Sequence, residues 1–117
     1  MAPGDLHRAD VPFVDGSGKK NRIVLIVKEL EDNEVLVVES RGAPHRNLEL
    51  IGIVDFSRRG YAGLRVGGVS HFYANNLRIL DKSCILPRPV GGLTPADFRV
   101  FFNKIDDLLR KQERFST

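Results

Sequence analysis

Hydrophobic and polar positions follow two regimes along this chain: runs or alternation suited to strands for most of its length, then a helical spacing at the end. Residues 23–27, Ile-Val-Leu-Ile-Val, are apolar without interruption and mostly β-branched, as in a strand buried on both faces. Asp32-Asn33 makes a turn, and Val35-Leu36-Val37-Val38 is the next strand. Residues 6–13 alternate loosely and read as a strand, with Pro12 near its end, where a missing ladder donor is tolerated. Residues 48–56 form another, with Gly52 marking a bulge or bend. Short strands are expected at 69–73 and around 84–86. Asp15-Gly16-Ser17-Gly18 is a turn cluster, residues 41–46 read as a loop, and residues 57–68, with four glycines and three arginines, read as a mobile excursion.

The last element is a helix over about 95–111. Thr94 is the N-cap, Pro95 occupies the first helical position, where its missing N–H costs nothing, and Asp97 suits the positive end of the helix dipole. Phe98, Phe101, Phe102, Ile105, Leu108 and Leu109 share one face, which must cover something apolar. The expected architecture is mainly β with a C-terminal α-helix: a small curved sheet or barrel with the helix packed on it.

Composition narrows the class. With 117 residues, 42% hydrophobic and 28% charged, the chain reads as a single domain over residues 1–117, large enough for one core without staples. One cysteine, Cys84, permits no intrachain disulfide and no multi-cysteine metal site. The longest apolar run is five residues, against about 20 for a bilayer span, and the start of the chain lacks a signal-peptide core. A soluble cytoplasmic protein with no membrane association is the expectation. The formal charge of +3 is unevenly spread. Glu29, Glu31, Asp32, Glu34 and Glu39 occupy a stretch without a base, whereas residues 41–88 carry Arg41, Arg46, Arg58, Arg59, Arg65, Arg78, Lys82 and Arg88 against only Glu49, Asp55 and Asp81. Such clustering suits a phosphate-binding face, or else a solvated surface on which the charges scatter once folded.

Cofactor and metal chemistry find no motif. No Gly-x-Gly-x-x-Gly follows a strand, Gly16-Ser17-Gly18-Lys19-Lys20 lacks Walker-loop spacing, and His7, His45 and His71 pair neither with one another nor with Cys84 at ligand spacing. Metal-free chemistry on a phosphate remains. RNA is cleaved without a metal when its 2′-hydroxyl attacks the adjacent phosphorus, provided protons are moved and the charge on the phosphorane is stabilised. Arginine suits that stabilisation. Arg22 stands where the basic turn meets the apolar strand, and Ser40 and Arg41 stand where the next strand ends. From local sequence alone, Arg22 suits a gatekeeper charge beside an aggregation-prone strand better than a catalytic role.

Pro3-Gly4-Asp5, followed by residues 12–27, Pro-Phe-Val-Asp-Gly-Ser-Gly-Lys-Lys-Asn-Arg-Ile-Val-Leu-Ile-Val, resembles the opening of the PemK/MazF/Kid-like toxins. In that family a Pro-Gly-Asp start, a strand and a Gly/Ser-rich loop lead through Arg-Pro into a hydrophobic strand. Residues 70–83, Ile85 and Gly92-Leu93-Thr94-Pro95-Ala96-Asp97-Phe98 are similar to the family's ending, a strand leading to a Gly-x-Leu-Ser/Thr-x-x-Asp helix start. The resemblance covers the chain except roughly 49–69. It implies an SH3-like small β-barrel with strands over about 6–86, a homodimer, a cognate antitoxin protein and metal-independent cleavage of single-stranded RNA, with no cofactor. The family's arginine maps to Arg22 and its Thr/Ser to Ser40 or its neighbour Arg41, giving Arg22 and Ser40 as catalytic candidates. Lys19, Lys20, Arg41, His45, Arg46, His71, Tyr73 and Asn75 are candidates for RNA contact, with Phe72 and Tyr73 as stacking surfaces.

The chain departs from the pattern at three places. Ile23 replaces the proline after the arginine, Val38-Glu39-Ser40-Arg41 replaces Pro-x-Thr-Ser, and Tyr73 and Asn75 stand where Kid-like members carry Arg and Asp. An amide cannot serve as a carboxylate base. The resemblance therefore leaves two functions open: a toxin-type endoribonuclease, or a barrel that keeps the scaffold and acts by binding RNA or a protein such as a topoisomerase, as the structurally related CcdB-type toxins do.

Overall fold

The computed structural model describes residues 1–13, 15–41, 49–55 and 69–116. The expected loops within 41–46 and 57–68 lie outside these residues except for Arg41. Strands β1 (Asp5–Pro12), β2 (Lys19–Glu29), β3 (Glu34–Arg41), β4 (Leu50–Asp55), β5 (Val69–Asp81) and the two-residue β6 (Gly91–Gly92) precede helix α1 (Pro95–Ser116). They form one antiparallel sheet in the order β4-β5-β3-β2-β1-β6, curled into a half-barrel. No helix among the described residues is long and apolar enough to cross a membrane.

The β2 run is buried on both faces, and its period-two alternation feeds two separate cores. Ile23, Leu25 and Val27 join Leu6, Val38, Ile51 and Phe72 beneath Phe101 and Ile105 of α1. Val24 and Ile26 point the other way and pack with Ala9, Val11, Val35, Val37, Leu80 and Ile85. Each fully buried Val, Ile or Leu contributes about 1.5–3 kcal/mol, so this one strand anchors both sides of the sheet. Asp32 and Asn33, both at positive φ (56° and 66°), make the tight β2–β3 turn expected from their side chains.

Two expectations need correction. The strand beginning at Val69 does not stop at Tyr73 but runs to Asp81. Asn75-Asn76 marks an irregularity rather than an end: the β3–β5 ladder pairs Ser40 with Phe72, shifts register, and resumes with Val38 opposite Leu77. The expected strand around 84–86 is instead a 3-10 turn at Lys82–Cys84 followed by a single bridge from Ile85 to Ala9. Beyond it the chain follows the free edge of β1, where the Leu86 N–H donates to the Arg8 carbonyl and the Val90 N–H to the Leu6 carbonyl.

Helix α1 begins as expected, with the Asp97 N–H donating to Thr94 Oγ1 at 3.2 Å. It extends past residue 111 to Ser116, because Gln112, Glu113 and Arg114 are good helix formers without marking an apolar face. Phe101 and Ile105 are buried, whereas Phe102 is 40% exposed. Phe101 meets Phe72 edge-on, with ring centroids 5.8 Å apart, and lies directly over Gly52. Gly52 sits at the β4–β5 register shift, and a Cβ there would overlap the Phe101 ring.

The contact between Gly52 and Phe101 predicts that Gly52→Ala destabilises the fold by about 1–3 kcal/mol, the usual cost of overpacking. Chemical denaturation should show part of this loss restored when Phe101→Leu is added. At the 3-10 turn, the Ser83 backbone N–H donates to Asp81 Oδ1 at 2.9 Å; this bond, together with the Ser83 hydroxyl, holds the Asp81 carboxyl below its ordinary value of 3.8. A depressed carboxylate stabilises the fold above its unfolded-state pKa, and that contribution is lost as pH falls through the folded-state value. Thermal melts from neutral pH downward should show Asp81→Ala less stable than wild type at neutrality and converging with it below the ordinary aspartate range.

Candidate functional site

Strand parity brings the charged residues together. Lys20 and Arg22 on β2 pair across the ladder with Val11 and Ala9, Glu39 on β3 pairs with Val24, and Arg78 on β5 pairs with Val37. All four partners belong to the second core, so the four charged side chains lie on that same face, beyond the end of its apolar packing. They line an open groove of about 500 Å³ together with Pro12, Phe13, Ser40, Arg41, Asn75 and Asn76.

The electrostatic centre of the groove is one carboxylate held by three cations. Glu39 Oε1 lies 2.7 Å from Lys20 Nζ and 3.6 Å from Arg22 Nε, and Oε2 lies 3.8 Å from Arg78 Nη1. The Glu39 side chain is only 8% exposed, against 51% for Arg22. A buried carboxylate requires compensation; here one acid receives three cations, leaving a surplus of two positive charges turned towards solvent. Arg78 Nη1 also donates to the Pro12 carbonyl at 3.1 Å, tying β5 to the end of β1. The turn beyond β1 is closed by Phe13 N–H donating to the Gly18 carbonyl, and Lys20 Nζ lies 5.9 Å from the centre of the Phe13 ring. Phe13, 42% exposed at the rim, offers a flat apolar surface beside the cations.

Of the residues singled out in the sequence, Arg22, Lys20, Arg41 and Asn75 line the groove; Ser40 borders it but is buried and pairs with Phe72 of the first core, on the other parity from Glu39. Lys19 points elsewhere, with Nζ 3.7 Å from Asp10 Oδ2. His71 is the ladder partner of Arg41 and stacks on Tyr73, centroids 6.2 Å apart; neither lines the groove, and Tyr73 is buried. Phe72 is fully buried against Phe101 and has no free ring face for a base. His45 and Arg46 lie outside the described residues. Glu39, Arg78, Asn76 and Phe13 are groove residues that sequence reasoning passed over. Glu39 had a legible signal, a single acid closing the apolar run of β3 one residue before Ser40. Arg78 and Asn76 become visible only once β5 is known to continue past Tyr73. Among the described residues no three His, Cys, Asp or Glu side chains cluster as metal ligands.

A six-stranded curled antiparallel half-barrel with one C-terminal helix, carrying a cationic groove on its sheet, has the MazF-like fold. Among the solved structures it resembles are a chain of the MazE–MazF complex from Deinococcus radiodurans and an endoribonuclease in complex with its cognate antitoxin from Mycobacterial species. The first has a TM-score of 0.64 at 16% identity, covering 93% of this chain and 95% of that one. The second has a TM-score of 0.59 at 19% identity, covering 93% and 94%. A second crystal form of the Deinococcus complex gives 0.52 at 16% identity, covering 93% and 96%. No family model and no curated protein matches the sequence.

Proposed function

We propose that the chain is the toxin of a toxin–antitoxin pair, an endoribonuclease that cleaves single-stranded RNA by 2′-hydroxyl attack. The observation that carries this reading is the convergence of Lys20, Arg22 and Arg78 on Glu39, from three strands, in one open groove on a MazF-like fold. In this reading the Arg22 guanidinium, half exposed, binds the scissile phosphate and stabilises the phosphorane, with Lys20 and Arg78 adding charge. Phe13 stacks a neighbouring base, and Arg41 and Asn75 hold the flanking strand. An antitoxin of acidic character would neutralise the same groove, and a second copy of the chain would extend it into a longer RNA track.

The test is digestion of single-stranded RNA in EDTA. Wild type is expected to cut; Arg22→Ala should lower the rate by about 100-fold or more, the usual effect of removing a donor to developing oxyanion charge. Binding should weaken steeply with salt, as phosphate contacts do, and light scattering at micromolar concentration should give a dimer. A folded protein that binds RNA but cuts no sequence would replace the nuclease with a binding role for the same groove.

A further inference from the structure

A carboxylate on the floor of a groove read as phosphate-binding calls for an explanation, because it competes with the ligand for the same donors. Glu39 is too deeply set to be an incidental surface pair. Its side chain is 8% exposed, whereas those of Lys20, Arg22 and Arg78 are 30%, 51% and 28% exposed, so the acid lies beneath and the cations reach over it. The arrangement is braced from the backbone. Glu39 is in register with Val24 of the second core, and the Asn76 side-chain amide donates to the Glu39 carbonyl at 3.4 Å. Arg78 is also held by the Pro12 carbonyl and Lys20 lies near the Phe13 ring, but the group that all three cationic heads share is the Glu39 carboxylate. Three like charges on one face would repel and spread without an anion between them.

We propose that Glu39 is a positioning residue, an internal counter-anion that keeps Lys20, Arg22 and Arg78 converged before any phosphate arrives and sets how strongly the groove binds one. The inference deepens the nuclease reading and rests on the groove taking a phosphate backbone. The three cations gathered on the Glu39 carboxylate exceed it by two positive charges, and Arg41 on the groove wall adds a third. A phosphodiester in the ground state carries one negative charge, and the phosphorane formed by deprotonated 2′-oxygen attack carries two. The surplus thus matches the transition state better than the substrate, and sharing the cations with Glu39 weakens ground-state binding. Neutralising Glu39 raises the groove's charge and frees its donors, while releasing the cations from their common position.

The experiment compares wild type with Glu39→Gln and Glu39→Asp on two probes: a single-stranded 2′-deoxy oligonucleotide, which lacks the attacking hydroxyl, and the corresponding RNA. Glu39→Gln should bind the deoxy probe about three- to tenfold tighter at low salt, with a salt dependence steeper by up to about 0.7, the increment for one more neutralised single-strand phosphate. On RNA its kcat should fall about tenfold or more while KM falls as well, a split that a merely structural defect would not produce. Glu39→Asp keeps the charge but draws it back by one methylene; it should fall between the other two in both readouts, and it carries the test alone if the glutamine variant does not fold. Unchanged or weaker binding of the deoxy probe by the variants, or an unchanged or raised kcat, overturns the proposal. If wild type cuts no RNA but Glu39→Gln tightens the deoxy probe, the nuclease reading falls and the counter-anion stands. If wild type cuts and probe binding does not respond, the reverse holds. A wild type that binds no probe at any salt removes both.

Discussion

Burial of β2 on both faces is the constraint on which the rest of the molecule depends. A strand with an apolar face on each side needs cover on each side, and the chain supplies it differently on the two. Helix α1 lays Phe101 and Ile105 over Ile23, Leu25 and Val27, while small and branched residues of β1, β3 and β5 close over Val24 and Ile26. Because side chains alternate, the residues just before the apolar run inherit one of those two directions. Lys20 and Arg22 share the parity of Val24, so the groove is the polar continuation of the second core rather than an addition to the surface.

That continuity explains why the charges meet although they are distant in sequence. Each cation arrives on a strand already held in register by hydrophobic packing a few ångströms away, and the Arg78 bond to the Pro12 carbonyl couples the two ends of the groove. The irregularity at Asn75-Asn76 contributes as well. By interrupting the β3–β5 ladder opposite Glu39, it leaves Asn75 and Asn76 on the groove wall, with the Asn76 amide donating to the Glu39 carbonyl. Asn75 therefore lines the same groove as a carboxylate supplied from another strand, Glu39.

Much of the fold was legible because its strongest signals are local. An uninterrupted β-branched run, a Thr-Pro-x-Asp helix start and phenylalanines at helical spacing each act over a few residues. What was not legible depended on partners. Asn75-Asn76 looks like a strand end until β3 is seen to resume pairing beyond it, and Gly91–Gly92 forms a strand only because β1 presents a free edge. The site divides along the same line. Arg22 and Ser40 could be named from their places at strand boundaries, whereas Arg78 could not, since its role is set by which residue of β3 it faces. Tyr73 and Phe72 looked available for stacking from sequence and are buried by tertiary packing, while Phe13, in a turn, keeps a face open.

The placement of the groove on strands rather than on loops shapes how such a sequence can drift. Substitutions along the rim leave the backbone register alone, which fits a chain under 20% identical to solved structures that share its fold. A single-residue insertion between Arg22 and Ile26 is a different event. It would reverse the parity of everything before it relative to the core, turning Arg22 towards Phe101 and α1 and an apolar neighbour into the groove. Length variation in this lineage should therefore collect outside β2, and its central strand should keep its residue count long after its residue identities have changed.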